Sequence, residues 1–309
     1  MAFVPKVLDD AALKALGIGA GDVVRVIEKT VLEVADGRLK TTPKSVLQPG
    51  DGRYMMTTLA SGDTAGVTVV KAVTVCPDNP GRGLPSITGA IMVLDAFTGE
   101  CLALMDAEWI TGVRTAGLSA VAAKHMADPA SRVMGFVGAG VQARSHLDLF
   151  MQLFPLERVL VSGRGQANID ALCAFAAEKG LESEVVEASD TLAADIVVTS
   201  IPITYSGDPF LDARAMKPNG LAIVTDAAKP WPPEGRSGFN TVIVDDVAQE
   251  SGMPEPVVPV ERISGDLTAL VSGKATLGSG PRAFMFRGIA AGDYALAAHV
   301  WTMCLDRSS

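Results

Sequence analysis

The stretch Val133-Met134-Gly135-Phe136-Val137-Gly138-Ala139-Gly140-Val141-Gln142-Ala143 decides the fold. An apolar run ends in the pattern Gly-x-Gly-x-x-Ala, and a helix-compatible segment follows it. Gly138 permits a tight turn, Gly140 lets the backbone approach a pyrophosphate, and Ala143 lets the helix pack close to the strand. The free N–H groups at the start of such a helix stabilise phosphate. The stretch therefore predicts a strand, turn and helix that bind a dinucleotide, and the alternative is a structural glycine turn.

Apolar runs alternate with helical segments from Arg132 onward, which is typical of a doubly wound parallel sheet in an α/β protein. Strands are predicted at 133–137, 158–162, 183–186, 196–200, 221–225 and 241–245. A helix is predicted at 167–179. After Asp246 the chain becomes irregular and proline-rich, so no further strand is predicted there.

The first third of the chain has the pattern of a separate α+β unit. Helices are predicted at 9–16 and 20–35, and strands at 54–59, 66–75, 86–95 and 101–105. A turn at 97–100 joins the last two strands into a hairpin. A small-residue helix at 115–127 should lead into the α/β part, and an apolar helix is predicted at 289–305.

Composition narrows the function classes. The chain has 309 residues, a net charge of −9 and a pI of about 4.9, which argues against a nucleic-acid surface. Four cysteines form no CxxC pair, and residues 1–10 show no signal peptide, so we expect reduced thiols in a cytoplasmic protein. With three histidines a histidine-rich metal site is not expected. No apolar stretch is long enough to cross a membrane.

Five separated blocks resemble the ornithine cyclodeaminase/μ-crystallin family. They are residues 83–127, 135–147, 194–202, 244–252 and 284–298, and they follow the family's order. The resemblance implies a Rossmann domain at 117–286, inserted into a second α+β domain formed by 1–116 and 287–309. In the family this second domain binds the substrate and makes a homodimer.

The same resemblance implies chemistry at the carbon that bears nitrogen in a small amino acid. The favoured function is an NAD(P)H-dependent oxidoreductase, either a 2-imino-acid reductase or an amino-acid dehydrogenase. One alternative is a cyclodeaminase that keeps NAD bound and releases ammonia from a diamino acid. Another is a non-catalytic protein that binds a nucleotide and a small ligand.

A 2-imino or 2-amino acid presents a carboxylate, which basic side chains must hold. Lys44, Lys71 and Arg114 stand where the family has its substrate-facing basic residues. Lys71 lies inside an apolar, strand-like run, where burial without a partner would be costly. Lys44 departs from the family, in which arginine is usual, and lysine lacks the planar fork for bidentate pairing. An ordinary solvated lysine is the alternative for Lys44, and a structural ion pair is the alternative for Arg114.

Two aspartates are further candidates for the site. Asp226 follows the fifth predicted strand of the α/β part, where ligands of such sheets gather, and is predicted to bind the amine or transfer its proton. The alternative is an aspartate in a turn, because the family's acid aligns about two residues away. Asp293 matches the family's late aspartate and is predicted to line the substrate site, with a helix-start acid as the alternative. Phe286 replaces a serine of the family, which alters the local pocket and makes ornithine itself doubtful.

Three further residues have predicted roles outside the substrate site. His146, on the helix after the glycine pattern, is expected to have a structural role. Lys229 and Trp231 are candidate lid residues.

The second predicted strand of the α/β part points to NADP rather than NAD. No acid follows it until Asp170, which should already lie in the next helix, whereas Arg164 can pair with a 2′-phosphate. The alternative is an arginine that serves NAD by stacking on the adenine alone. The predicted cofactor-binding residues are Gly138, Gly140, Val141, Gln142, Ala143, Ser162, Arg164, Thr199 and Ser200.

Overall fold

A computed structural model describes residues 4–306. The strands are β1 (Lys6–Leu8), β2 (Leu39–Thr41), β3 (Ser45–Leu47), β4 (Tyr54–Gly62), β5 (Val67–Val75), β6 (Ile87–Asp95), β7 (Cys101–Asp106), β8 (Val133–Val137), β9 (Arg158–Ser162), β10 (Glu182–Val185), β11 (Ile196–Thr199), β12 (Leu221–Val224), β13 (Thr241–Val244), β14 (Gly265–Asp266) and β15 (Arg282–Met285). The helices are α1 (Asp10–Lys14), α2 (Ala20–Ala35), α3 (Ala107–Met126), α4 (Val141–Phe150), α5 (Gln166–Glu178), α6 (Pro233–Arg236), α7 (Val247–Ser251), α8 (Leu267–Val271) and α9 (Ala290–Asp306).

The chain divides into two compact units. The first comprises Met1–Thr115 and Gly288–Ser309, and the second is the continuous segment Ala116–Arg287. Helix α3 begins in the first unit and ends in the second.

The first unit is built on one mixed sheet with the strand order β1-β7-β6-β5-β4-β2, and β3 pairs with β4. The four long strands β4 to β7 are antiparallel neighbours, while β1 runs parallel to β7. Helix α9 packs against β4, β5 and β6, and α2 packs against α9. The apolar stripe of α2, which includes Val23, Ile27 and Val31, is buried, as the helical spacing of these residues predicts.

The second unit is built on one fully parallel sheet with the order β10-β9-β8-β11-β12-β15-β13-β14. Every residue of β11, β12 and β13 is buried, as expected for inner strands of a sheet covered on both faces. The prediction of a doubly wound Rossmann sheet is confirmed. All six predicted strands are present, with bounds that agree to within one residue.

The short strands β1, β2, β3 and β14 were not predicted, and the prediction was also wrong at β15 and at the start of helix α3. Strand β15 was missed because it is a four-residue run behind a Gly-, Ser- and Pro-rich stretch, and it inserts between β12 and β13. Helix α3 begins at Ala107 and not at 115, because β7 leads directly into it and the Asp106 carboxylate accepts the Glu108 N–H at 2.7 Å. Burial of Ile110 at 0% exposure stabilises this first part despite its β-branched and glycine residues.

Candidate active site

The glycine-rich loop lies at the carboxyl end of β8. Gly138 has φ +99°, and a Cβ there would lie 2.6 Å from the Ser200 carbonyl oxygen, so only glycine fits. The Gly138 N–H donates to the Ser162 carbonyl at 2.8 Å, and the Ser200 hydroxyl donates to the Gly138 carbonyl at 3.4 Å. Hydrogen bonds therefore connect three residues predicted to contact the cofactor, Gly138, Ser162 and Ser200, at the ends of three neighbouring strands.

Gly140 precedes α4 and leaves room for a ligand. A Cβ at Gly140 would meet nothing within 4 Å, and no side chain caps the first turn of α4. Ala143 is fully buried, which allows the close packing of α4 on the sheet, and Val141 is 65% exposed at the helix start. An open glycine before an uncapped helix start fits a pyrophosphate, which takes the free N–H groups.

The two glycines give a paired prediction. Gly138→Ala should lower the melting temperature, because its positive φ and the contact with Ser200 both penalise a side chain. Gly140→Ala should keep the melting temperature within about 2 °C, since the surface change costs little, yet weaken dinucleotide binding about tenfold or more. Differential scanning fluorimetry and a fluorescence titration with NADPH measure the two effects. A Gly140→Ala protein that binds the dinucleotide normally would contradict the placement of the pyrophosphate.

His146 has the structural role that the sequence predicted. Its ring is fully buried, Nδ1 lies 2.7 Å from the Gln142 carbonyl oxygen, and the ring stacks at a tilt on Phe150. Burial lowers the pKa of His146 to about 4, so the ring is neutral at physiological pH. The backbone carbonyl oxygen of Gln142, a predicted cofactor-binding residue, is thus in contact with the buried His146 ring.

Arg164 lies after β9 with its guanidinium over the Tyr205 ring, 5.2 Å from the ring centroid. The Tyr205 hydroxyl donates to the Asp208 carbonyl at 2.9 Å, which fixes the ring. Asp170 lies inside α5, as predicted, and accepts a hydrogen bond from Gln166 at 2.7 Å. The residue that sequence analysis missed here is Tyr205, because an aromatic ring 41 positions from Arg164 has no spacing signal.

The first unit contains a buried cationic cluster formed by Lys71, Arg114, Asp293 and Thr58. Asp293, in the first turn of α9, accepts Lys71 Nζ at 2.7 Å on Oδ1 and the Thr58 hydroxyl at 2.9 Å on Oδ2. Arg114 Nε lies 3.0 Å from the same Oδ1. Lys71 and Asp293 are 0% and 1% exposed, so this is a desolvated ion network.

Strand pairing and helix position explain how the cluster assembles. Thr58 of β4 is the register partner of Lys71 of β5, so both side chains point to the face that packs against α9. Asp293 meets them from α9, and Arg114 meets Asp293 from α3. The sequence predicted Lys71, Arg114 and Asp293 as site residues, and the structure brings all three together. Thr58 was missed, because nothing in its strand pattern marks it.

Burial and neighbouring charges shift the pKa values of Lys71 and Asp293. Burial, the Arg114 guanidinium and Lys44 outweigh the Asp293 carboxylate and lower the pKa of Lys71 to about 8. Burial acts to raise the pKa of Asp293, but the two neighbouring cations prevail and hold it below its usual range. Lys44 is half-buried and close enough to act on Lys71 electrostatically. The cluster therefore combines one carboxylate with two buried cations and a third nearby.

Asp226 lies at the end of β12, and its carboxylate is buried and hydrogen-bonded on both oxygens. It is 2% exposed, Thr199 Oγ1 donates to Oδ1 at 3.1 Å, and the Ile201 N–H donates to Oδ2 at 3.2 Å. Burial raises the pKa of Asp226 to about 6. Through these two hydrogen bonds the Asp226 carboxylate links the ends of β11 and β12.

Thr199 and Trp231 are both buried beside Asp226. Thr199 is fully buried, and its hydroxyl accepts the Trp231 indole N–H at 3.3 Å while it donates to Asp226. Trp231 is 1% exposed and packs on Phe239 at 5.1 Å between ring centroids, so it is a core residue and no lid. Lys229, the second candidate for the lid, is exposed.

Ala227 and Ala228 follow Asp226 in the left-handed region, with φ of 53° and 57°. Two successive alanines in this region cost about 1–2 kcal/mol each. The hydrogen bond from the Trp231 N–H to the Ala228 carbonyl, at 3.0 Å, holds the turn together with the Asp226 contacts.

The part of the chain that the structure describes contains neither a group of potential metal ligands nor a membrane-spanning helix. Within residues 4–306, no three His, Cys, Asp or Glu side chains are grouped to bind a metal ion. No helix among the described residues is long and apolar enough to cross a membrane.

A sequence profile described as the ornithine cyclodeaminase/mu-crystallin family matches residues 11–230. The chain belongs to the ornithine cyclodeaminase/mu-crystallin family. The delta(1)-pyrroline-2-carboxylate reductase 2 of Burkholderia ambifaria is 32% identical over 165 residues, which cover 53% of this chain and 52% of that protein. The L-lysine cyclodeaminase of Streptomyces rapamycinicus is 35% identical over 48% of this chain and 44% of that protein. The chain thus spans about half the length of these curated family members.

The fold of this family member agrees with a solved structure over nearly its whole length. The delta(1)-pyrroline-2-carboxylate reductase of Thermococcus litoralis, determined with NADH and L-proline, superposes with a TM-score of 0.89. It is 24% identical, and the match covers 98% of each chain. This likeness shows a shared fold.

Proposed function

We propose that this protein is an NAD(P)H-dependent reductase of a small 2-imino acid, which forms the corresponding 2-amino acid. The observation that carries the proposal is the buried cationic cluster, in which Lys71 and Arg114 both lie against Asp293. Two cationic side chains held together away from water favour binding of an anion such as a substrate carboxylate. The glycine-rich loop supplies the second requirement, a place for the dinucleotide.

The roles of the cationic side chains follow from their charges and places. Arg114 offers a planar fork for the substrate carboxylate, and Asp293 fixes that fork through its contact with Nε. Lys44 adds a third positive charge. Most of the rate enhancement then comes from positioning and from fixed charge.

Lys71 is the proposed proton donor to the imine nitrogen. With a pKa of about 8 it is protonated at neutral pH, yet it gives up its proton more readily than an ordinary lysine. When bound, the dihydronicotinamide supplies a hydride to the 2-carbon. The C=N double bond becomes a C–N single bond, the carbon gains the hydride, and the nitrogen gains the proton of Lys71.

Asp226 is proposed as a positioning residue for the strand ends near the glycine-rich loop. It binds Thr199 and the Ile201 N–H, while Ser200 between them donates to Gly138. With a hydrogen bond on each oxygen, this carboxylate is placed to hold the loop.

The family members named above support a reductase first and a cyclodeaminase second. A cyclodeaminase would release ammonia from a diamino acid with no net change in NADH, whereas a reductase consumes NAD(P)H. A binding protein without activity would do neither. Absorbance at 340 nm with cyclic 2-imino acids, and with 2-oxo acids plus ammonia, together with an ammonia assay on ornithine and lysine, separates the three functions.

The cofactor preference is expected to be NADPH over NADH. Arg164 is the cation after β9, and no carboxylate in that turn repels a 2′-phosphate. Steady-state kinetics with both cofactors measures the preference. Arg164→Ala should reduce it mainly through KM for NADPH, and Arg158→Ala, an exposed arginine of the same strand, is the control. A kcat/KM for NADH equal to or above that for NADPH would refute this role of Arg164.

We also propose that the first unit, 1–116 with 287–309 in the domain division expected from the family, binds the substrate and forms a homodimer. Register partners Leu59, Val70, Met92 and Leu104 place four apolar side chains in one row across β4 to β7, on the face opposite Lys71. Leu59 is 40% exposed, and the other three are half-buried. Such a row favours a self-complementary contact with a second copy.

Met92→Glu tests the dimer. It should shift the mass measured by light scattering from two chains to one, because a buried charge in the row opposes association. An unchanged mass would contradict this surface. Four free cysteines fit the proposed cytoplasmic location.

A further inference from the structure

A cavity of about 330 Å³ lies in the second unit beside β13 and β15. Its floor consists of buried core residues, Phe239, Val242, Val258 and Met285, each no more than 4% exposed. Three prolines line its rim, at positions 233, 256 and 259. None of the residues that line it belongs to the glycine-rich loop or to the buried cationic cluster.

Two arginines give the cavity a positive rim. Arg236 Nη1 donates to the Val257 carbonyl at 2.5 Å, and Arg262 Nη2 donates to the carbonyls of Phe239 at 2.7 Å and Ser237 at 3.2 Å. These acceptors are neutral, and neither guanidinium forms an ion pair with a carboxylate of the residues that the structure describes. Glu250, the buried acid nearby, is already paired with Arg287 at 2.8 Å.

The charge of Arg236 is poorly solvated. Burial lowers the pKa of this half-buried guanidinium from its ordinary value, and Arg287 acts in the same direction against Glu234 and Glu250. A bound anion would relieve this cost, since an opposite charge stabilises a desolvated cation. The backbone carbonyls hold both arginines in place, so the fork nitrogens that do not bind carbonyls are oriented without a further loss of side-chain entropy.

We propose that this cavity is a second binding site, which takes a small carboxylate with an apolar body. The apolar floor accepts a hydrocarbon or ring, and Arg236 with Arg262 takes the carboxylate at the rim.

Two contacts connect the residues that line the cavity with the region around Asp226. Met285 lines the cavity and is the register partner of Val224, two residues before Asp226. Phe239 lines it too and packs on Trp231, whose indole bonds Thr199. Occupancy of the cavity is therefore expected to change the fluorescence of Trp231.

Calorimetry with 3-phenylpropanoate as the probe tests the site. The wild-type protein should bind it with a Kd on the order of 1 mM or tighter, as expected for a ligand of this size. The neutral 3-phenylpropanamide should bind about tenfold more weakly, because it lacks the charge that the arginines recognise. Arg236→Met and Arg262→Met should each weaken the carboxylate about tenfold and leave the amide nearly unchanged.

Further variants distinguish this cavity from the buried cationic cluster and from a general effect of surface charge. Val257→Phe should block the probe by filling the cavity, and it keeps both arginine charges. This variant therefore still tests the site if Arg236→Met fails to fold. Arg158→Met, an exposed arginine of the same unit, should bind normally. Arg114→Ala should also bind normally, since the buried cationic cluster is a separate place for a carboxylate. The proposal is overturned if the wild type does not bind the probe, if Val257→Phe and Arg262→Met bind it like the wild type, or if only Arg114→Ala abolishes binding.

Discussion

Replacing Arg114 by alanine is expected to abolish turnover and to leave dinucleotide affinity nearly unchanged. Arg114 belongs to the buried cationic cluster and is 5% exposed, so its charge acts in a medium where it is not screened by water. Loss of a buried charge contact with the substrate should cost about 2–5 kcal/mol of transition-state stabilisation. This corresponds to a fall in kcat/KM of about 30- to 5000-fold.

Lys71→Met is the companion change, since methionine keeps much of the side-chain volume and removes the charge. It takes away the proposed proton donor, so we expect a similar loss, concentrated in kcat. Arg53→Ala is the matched control, because Arg53 is an exposed arginine of the same unit that pairs with Asp51. Either cluster variant that keeps more than about a third of the wild-type kcat/KM, in a folded protein, would remove that residue from the site.

Asp226→Asn is expected to change the pH dependence of stability more than the rate of reaction. The pKa of Asp226 is about 6 because of burial, against an ordinary 3.8. The folded protein therefore binds this proton more tightly than the unfolded chain does. The contribution to stability is complete below about pH 4 and is lost as the pH rises through 6. The full difference amounts to about 3 kcal/mol.

Urea unfolding of both proteins at pH 4 and pH 7 measures this effect. Asparagine cannot ionise, so the free energy of unfolding of the wild type relative to Asp226→Asn should fall by about 2 kcal/mol from pH 4 to pH 7. Asp293 and the other carboxyls are common to both proteins, so their contributions to the pH dependence of stability cancel in the difference. We expect kcat to stay within about tenfold of wild type, because Asp226 acts through Thr199 and Ile201. A constant difference in stability, together with a fall in kcat above about 100-fold, would return Asp226 to the role of a proton-transfer group.

The sequence predicted the Rossmann unit because its turn and its strands depend on local properties of the chain, namely backbone conformation and runs of apolar residues. Gly138 is required by a positive φ, and the apolar runs of β8, β11 and β12 are buried at nearly every position. Strand β15 was not predicted because its place is set by pairing with β12 and β13, to which its short sequence gives no clue.

Side-chain partners were harder to predict than elements. Lys71 and Asp293 are 222 positions apart, so only the family resemblance placed both in one site, and no spacing rule predicts their contact. Asp226 was predicted from its strand end, but the strand end does not determine whether a carboxylate faces solvent or the neighbouring loop. Hydrogen bonds from the Thr199 hydroxyl and the Ile201 N–H turn the carboxylate toward the neighbouring loop.

Reduction of the carbon that bears nitrogen is tested most directly by an isotope measurement. The protein is incubated with a cyclic 2-imino acid and NADPH that carries deuterium on both hydrogens of nicotinamide C4, and the product is analysed by mass spectrometry and NMR. We predict a 2-amino acid with one deuterium at carbon 2, formed in equal amount to the NADPH consumed. Lack of deuterium at carbon 2 with the cofactor unchanged, for cyclic 2-imino acids and for 2-oxo acids with ammonia alike, would contradict the proposed reduction.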